Sequence, residues 1–247
     1  MTVESGKDLE GLQRVGAVVR LALEEMRDAL EPGMTTLELD RIGAEVFERH
    51  GARSAPRMAY GFPGVNCISV NDEAVHGVPG ERVIESGDLV KIDVTAELDG
   101  YIADAAETVI APEASEEASA LKVCAEFAFG RAVEVARAGR PASKIGHAIE
   151  TVVKRRGFSV MPELSSHGAG RSIHEYPTIP NYYDRRLKAP LTEGLAVTIE
   201  PIISAGSPWT AVGSDGWTTS TEDGSLSAHH EHTVVITKGK PIFLTAA

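Results

Sequence analysis

Cysteine is nearly absent: 247 residues contain 2, Cys67 and Cys124, and they form no CxxC pair. That excludes a disulfide framework and a thiolate zinc site, so any metal must be held by oxygen and imidazole. No apolar run approaches the roughly 18 residues that cross a bilayer. Met1 to Asp8 has neither the charged nor the apolar region of a signal peptide, and the expected location is the cytoplasm. Positive charge is also scarce, with 24 Lys and Arg against 36 Asp and Glu and a formal net charge of −12. With no basic run to displace phosphate counterions, neither nucleic acid nor an anionic membrane is an expected partner. The glycine-rich signatures of nucleotide enzymes are missing too. What is present, 43% hydrophobic and 24% charged residues, suits one globular domain over 1–247.

Helical spacing opens the chain. Leu12, Val15, Val19, Ala22, Met26 and Leu30 recur at intervals of three and four, which marks one buried helix face. Pro32-Gly33 stops that helix, Thr35 or Thr36 suits an N-cap, and a second helix runs to Gly51. The same punctuation returns later: Gly33 to Gly51 and Gly139 to Gly157 are equally spaced, and Leu39, Val46, Phe47 and Arg49 match Ile145, Val152, Val153 and Arg155. An internal repeat is expected, with two halves that each carry two helices and a strand hairpin.

The strand-like segments repeat as well. Gly87 to Asp93 (GDLVKID) lies on Gly194 to Glu200 (GLAVTIE), glycine on glycine and carboxylate on carboxylate. A second acid follows each, Asp104 and Glu231. Asp99-Gly100 is the dipeptide most favoured in a two-residue hairpin turn. Such a turn makes cross-strand partners sum to 199, which sets Asp104 opposite Thr95 and diagonal to Asp93 on one face. Acids buried in apolar strands need a cation. Leu195–Ile203 reads as one buried strand containing Glu200, and Ala228–Ile236 as another with Glu231 near its start. Two Asp, two Glu and His167 form an oxygen-rich set that suits manganese, iron(II) or cobalt, with zinc also admitted.

His76 and His167 each precede a glycine, which permits close backbone approach or an unusual angle. His174-Glu175 is not the start of an HExxH motif, because position 178 is Thr. His229, His230 and His232 are read as structural.

Together these segments resemble the bacterial type I methionine aminopeptidases, within the two-fold pita-bread metallopeptidases, from Leu37–Ile42 to Ser225–Thr233. The resemblance implies an α+β pita-bread fold, two pseudo-symmetric halves with helices covering a curved, mostly antiparallel sheet. It implies two divalent ions held by Asp93, Asp104, His167, Glu200 and Glu231, with Glu200 also carrying protons and His76 and His174 on the substrate. A methionine pocket falls at Tyr60, Phe62, Cys67, Ile173 and Trp217, and a monovalent-cation loop at Asn71 and Ser227. The implied substrates are N-terminal methionine peptides and nascent proteins with a small second residue, met by a monomer in transient contact with the ribosome.

The sequence departs from that pattern at Tyr101–Asp104 (YIAD), where many relatives have histidine and glycine before the aspartate, and at Ile173 and Ala59, which alter the pocket. The rival readings are a proline-specific aminopeptidase or dipeptidase of the same fold, and a binding protein built on it.

Overall fold

The computed structural model describes residues 1–246. The first half holds α1 (Gly6–Ala29), α2 (Thr36–His50), β1 (Arg53–Ser54), α3 (Ala55–Tyr60), β2 (Cys67–Val70), β3 (Glu73–Val75), β4 (Leu89–Leu98) and β5 (Tyr101–Ile110). The second holds α4 (Glu116–Val135), α5 (Ser143–Arg155), β6 (Ser159–Val160), β7 (Ser165–Gly168), β8 (Glu175–Pro180), β9 (Ala196–Ile199) and β10 (Ile202–Ser204). It continues with β11 (Thr210–Val212), β12 (Thr219–Thr221), β13 (Ser227–His229), β14 (Glu231–Val235) and β15 (Ile242–Phe243).

Local chemistry explains the helix limits. Thr35 caps α2 in a full capping box with Glu38, and Gly51 ends it with a left-handed φ of 68°. Gly157 has φ 81° just beyond α5, and Gly33 and Gly139 sit at 96° and 83°. The expected repeat is therefore present in the backbone as well as in the letters. Asp99 and Gly100 have φ of 52° and 80°, the pair of positive angles a tight type I′ hairpin requires. β4 and β5 pair throughout in the register summing to 199, Thr95 facing Asp104.

Nine strands form the main sheet, along the path β1-β4-β5-β14-β9-β7-β8 with β2 and β15 at its sides. Period-two alternation divides β4 cleanly. Val90, Ile92, Val94 and Ala96 join the core under α1 and α2, while Lys91, Asp93 and Thr95 point to the opposite face. α4 and α5 cover Val197, Ile199 and Val234 in the second half. Both helix pairs thus occupy one face of the sheet and leave the other open for a site.

Two expected strands are each broken in two. Leu195–Ile203 divides at Glu200-Pro201 and Ala228–Ile236 at His230. Proline has no N–H to extend the ladder, and there the chain steps from the main sheet to a small one ordered β13-β10-β6. The two breaks face each other, His230 donating its N–H to the Pro201 carbonyl at 3.3 Å.

Candidate metal centre

The five anticipated side chains come from five consecutive neighbours in the sheet. Asp93 lies on β4, Asp104 on β5, Glu231 at the start of β14, Glu200 immediately after β9, and His167 on β7. Ala106 of β5 is the register partner of both Asp93 and Glu231, so its methyl side keeps the space between those carboxylates clear. Asp104, His167 and Glu231 each bring a ligand atom within 4.8 Å of the others, and Glu200, His229 and Glu231 form a second such group.

Each acid is oriented by its neighbours. Thr95 Oγ1 donates to Asp104 Oδ1 at 2.8 Å, and Thr198 Oγ1 to Glu200 Oε1 at 2.6 Å. The backbone of Glu200 is fixed from both sides: its N–H donates to Ser166 Oγ at 3.0 Å, and its carbonyl accepts from Asn181 Nδ2 at 2.8 Å. His167 Nδ1 lies 3.0 Å from the Gly168 carbonyl, which can only accept, so the proton sits on Nδ1 and Nε2 presents a lone pair.

That lone pair lies 3.3 Å from Glu200 Oε1, and His229 Nε2 lies 3.3 Å from Glu231 Oε2. Both ring nitrogens of His229 and Glu231 Oε1 are buried with no hydrogen-bond partner. Burial raises Asp93 well above the carboxylate range, reinforced by the charges of Asp104 and Glu200. Burial likewise raises Glu231 well above it, with Asp104, Glu200 and Asp93 adding repulsion. Glu200 is pushed up to about 7 by burial against the opposing pull of His167, and Asp104 is raised by burial too. Acceptors facing acceptors inside protein are what a divalent cation neutralises, and carboxylate with imidazole is the donor set such ions take. The residues fit divalent metal.

The sequence reads His229 as mostly structural, whereas the structure places it in the cavity lining beside Glu200 and Glu231. β13 carries it into the cavity, 2% exposed, and residues 229 and 231, two apart, face the same space. Burial pulls its imidazole down to about 3, so it remains neutral. Its signal was available in the two-residue offset from Glu231.

The acids form one end of a cavity of ≈ 530 Å³. Tyr60, Phe62, Cys67, Ile173 and Trp217 all line it, as do His76 and His174. Phe62 and Trp217 meet edge to face with centroids 5.3 Å apart. Tyr60, half exposed at the rim, places its hydroxyl 2.7 Å from His174 Nδ1. Burial draws His174 to about 4 and lowers His76 as well. His76 has φ 58°, a strained angle for a residue with a Cβ. The glycines after His76 and His167 serve close packing of the chain itself: a Cβ on Gly77 would strike the Ile68 carbonyl, and one on Gly168 the Tyr176 carbonyl.

Sequence comparison agrees with this geometry. The chain belongs to metallopeptidase family M24, which it matches over residues 10–238, and its fold is the pita-bread fold. Methionine aminopeptidase 2 of Bacillus subtilis (strain 168) is 44% identical over 247 residues, with 99% of each chain covered. A methionine aminopeptidase of Aquifex aeolicus (strain VF5) is 39% identical, covering 98% of this chain and 97% of the relative. The structure of methionine aminopeptidase from Thermotoga maritima superposes with a TM-score of 0.96 at 34% identity, each chain fully covered. The prolidase from Pyrococcus furiosus shares the fold, with a TM-score of 0.80 at 24% identity and 66% of its length covered.

Proposed function

We propose that this chain is a metallo-aminopeptidase that removes an N-terminal methionine from peptides and nascent proteins in the cytoplasm, with two divalent ions held by Asp93, Asp104, His167, Glu200 and Glu231. The observation that carries the reading is the convergence of those five side chains, from five adjacent strands, on one end of a cavity whose other end is apolar. Ions bound there supply Lewis acidity to the scissile carbonyl and to the attacking water.

The chain's own residues do the rest. Glu200, near 7, can take a proton from the attacking water and return it to the leaving amine at neutral pH. His174 is neutral, its Nδ1 2.7 Å from the Tyr60 hydroxyl; in the tautomer whose Nδ1 accepts from that hydroxyl, Nε2–H is the donor that stabilises negative charge developing on the carbonyl oxygen. His76 holds the scissile amide nitrogen. Phe62 and Trp217, with Cys67, Ile173 and Tyr60, enclose an unbranched thioether side chain. A small second residue is preferred.

The test is methionine release from Met-Ala-Ser by metal-stripped protein to which cobalt, manganese, iron(II) or zinc is restored anaerobically, with an Xaa-Pro dipeptide in parallel. Metal-dependent methionine release is expected. Cleavage of the Xaa-Pro substrate alone would move the assignment to the proline-specific branch, and inactivity with every metal would remove the peptidase reading.

A further inference from the structure

Lys91 is the largest fully buried side chain outside the core clusters, 1% exposed, on the same face of β4 as Asp93. A lysine so placed needs an explanation, because lysine is almost never buried unpaired. Its Nζ donates to the Asn71 carbonyl at 2.7 Å. That carbonyl also receives the N–H of Ser227 at 3.0 Å and its Oγ at 2.9 Å. The same hydroxyl lies 3.1 Å from the Glu73 carbonyl. Asn71 itself has φ 56°, a left-handed angle uncommon for a residue with a Cβ. Its side chain acts as a false strand partner, accepting from Leu89 N at 3.0 Å and donating to Asp88 Oδ1 at 2.8 Å.

Two carbonyls and a hydroxyl, with Asp72, Glu73 and Asp88 contributing negative charge around the amine, form an oxygen set for a hard monovalent cation. The family resemblance at Asn71 and Ser227 implied such an ion. The site does not take one while Lys91 is in place, because the Lys91 Nζ already donates to the Asn71 carbonyl that such an ion would need.

We propose that the Lys91 side chain is a built-in substitute for a monovalent cation: its nitrogen binds the Asn71 carbonyl that Ser227 also binds, so the turn before β3, the start of β13 and β4 meet at that one oxygen. Those segments lead to His76, to His229 and Glu231, and to Asp93, so Lys91 is a positioning residue for the metal centre. The inference concerns where the nitrogen sits: it donates to Asn71 whether or not it carries the extra proton, with burial drawing it to about 7.

The experiment needs neither substrate nor divalent metal, and its failure is therefore separate from failure of the peptidase reading. Thermal unfolding of divalent-free wild type is compared at constant ionic strength in tetramethylammonium, sodium and potassium chloride, alongside K91N and K91Q. Wild type should be indifferent to the cation. The variants should melt lower in tetramethylammonium chloride and regain about 5 °C in sodium or potassium chloride, the shift expected of an ion held well above its Kd. A sodium- or potassium-specific rise in wild type, or folded variants indifferent to the ion, would overturn the proposal. Should neither variant fold in tetramethylammonium chloride, refolding yield in potassium chloride becomes the readout, and equal failure in both salts also overturns it.

Discussion

Glu200 is held at three points, by Thr198 on its carboxylate and by Ser166 and Asn181 on its backbone, so glutamine at this position preserves the shape and removes the proton carrier. E200Q should lower methionine release by at least about 100-fold with unchanged circular dichroism; full activity would remove Glu200 from the proposed role. H174A should lower kcat about 100-fold with little change in KM, the pattern of a contact made only in the transition state. The raised Glu200 gives a pH signature. Its folded value of about 7 lies above the ordinary 4.5, so the metal-free fold keeps a proton that the unfolded chain releases. The stability this lends is complete below about pH 4.5 and lost as pH rises through about 7. A divalent ion removes that loss, and the rise in Tm on adding manganese should therefore grow steadily from about pH 5.5 to about pH 8. A metal-induced shift that shrinks over that range would contradict the assigned acids.

Helix glycines test the packing at the scale of elements. Gly130 lies exposed in α4 with nothing within 4 Å of an added Cβ, whereas a Cβ on Gly146 of α5 would strike the carbonyls of Tyr182 and Pro180. G130A should stabilise by about 0.5–1 kcal/mol, as alanine does in an open helix. G146A should destabilise by about 1–3 kcal/mol through overpacking, and parallel melting curves that shift both variants the same way would be inconsistent with this packing. The elements that could be read from the sequence were those set by local chemistry. The Asp99-Gly100 turn gave the β4–β5 register, and the repeated glycines gave the helix ends. The divisions at Glu200-Pro201 and His230 were hidden, because each apolar run continues through them and only pairing with a second sheet shows where the chain crosses over. His229 is a different case: alternation along a strand through 228–236 already places 229 and 231 on one face, and the crowding of three histidines around Glu231 hid which of them enters the cavity.

At the scale of the molecule, β5 of the first half is paired with β14 of the second, inside one nine-stranded sheet. The halves share a ladder, so we propose that residues 1–247 behave as one domain. Calorimetry of the metal-free protein should give one transition with equal calorimetric and van't Hoff enthalpies; two resolved transitions would separate the halves. The shared ladder also bears on the order of synthesis. On the ribosome, β4 and β5 emerge with Asp93 and Asp104 already side by side, but the neighbour that completes the edge of β5 is not made until β14. Throughout that interval a nascent chain exposes an open strand edge with two acids and no partners, the kind of surface that invites wrong pairing. A chain interrupted before β14 could not be rescued by metal, since Glu231 would still be missing.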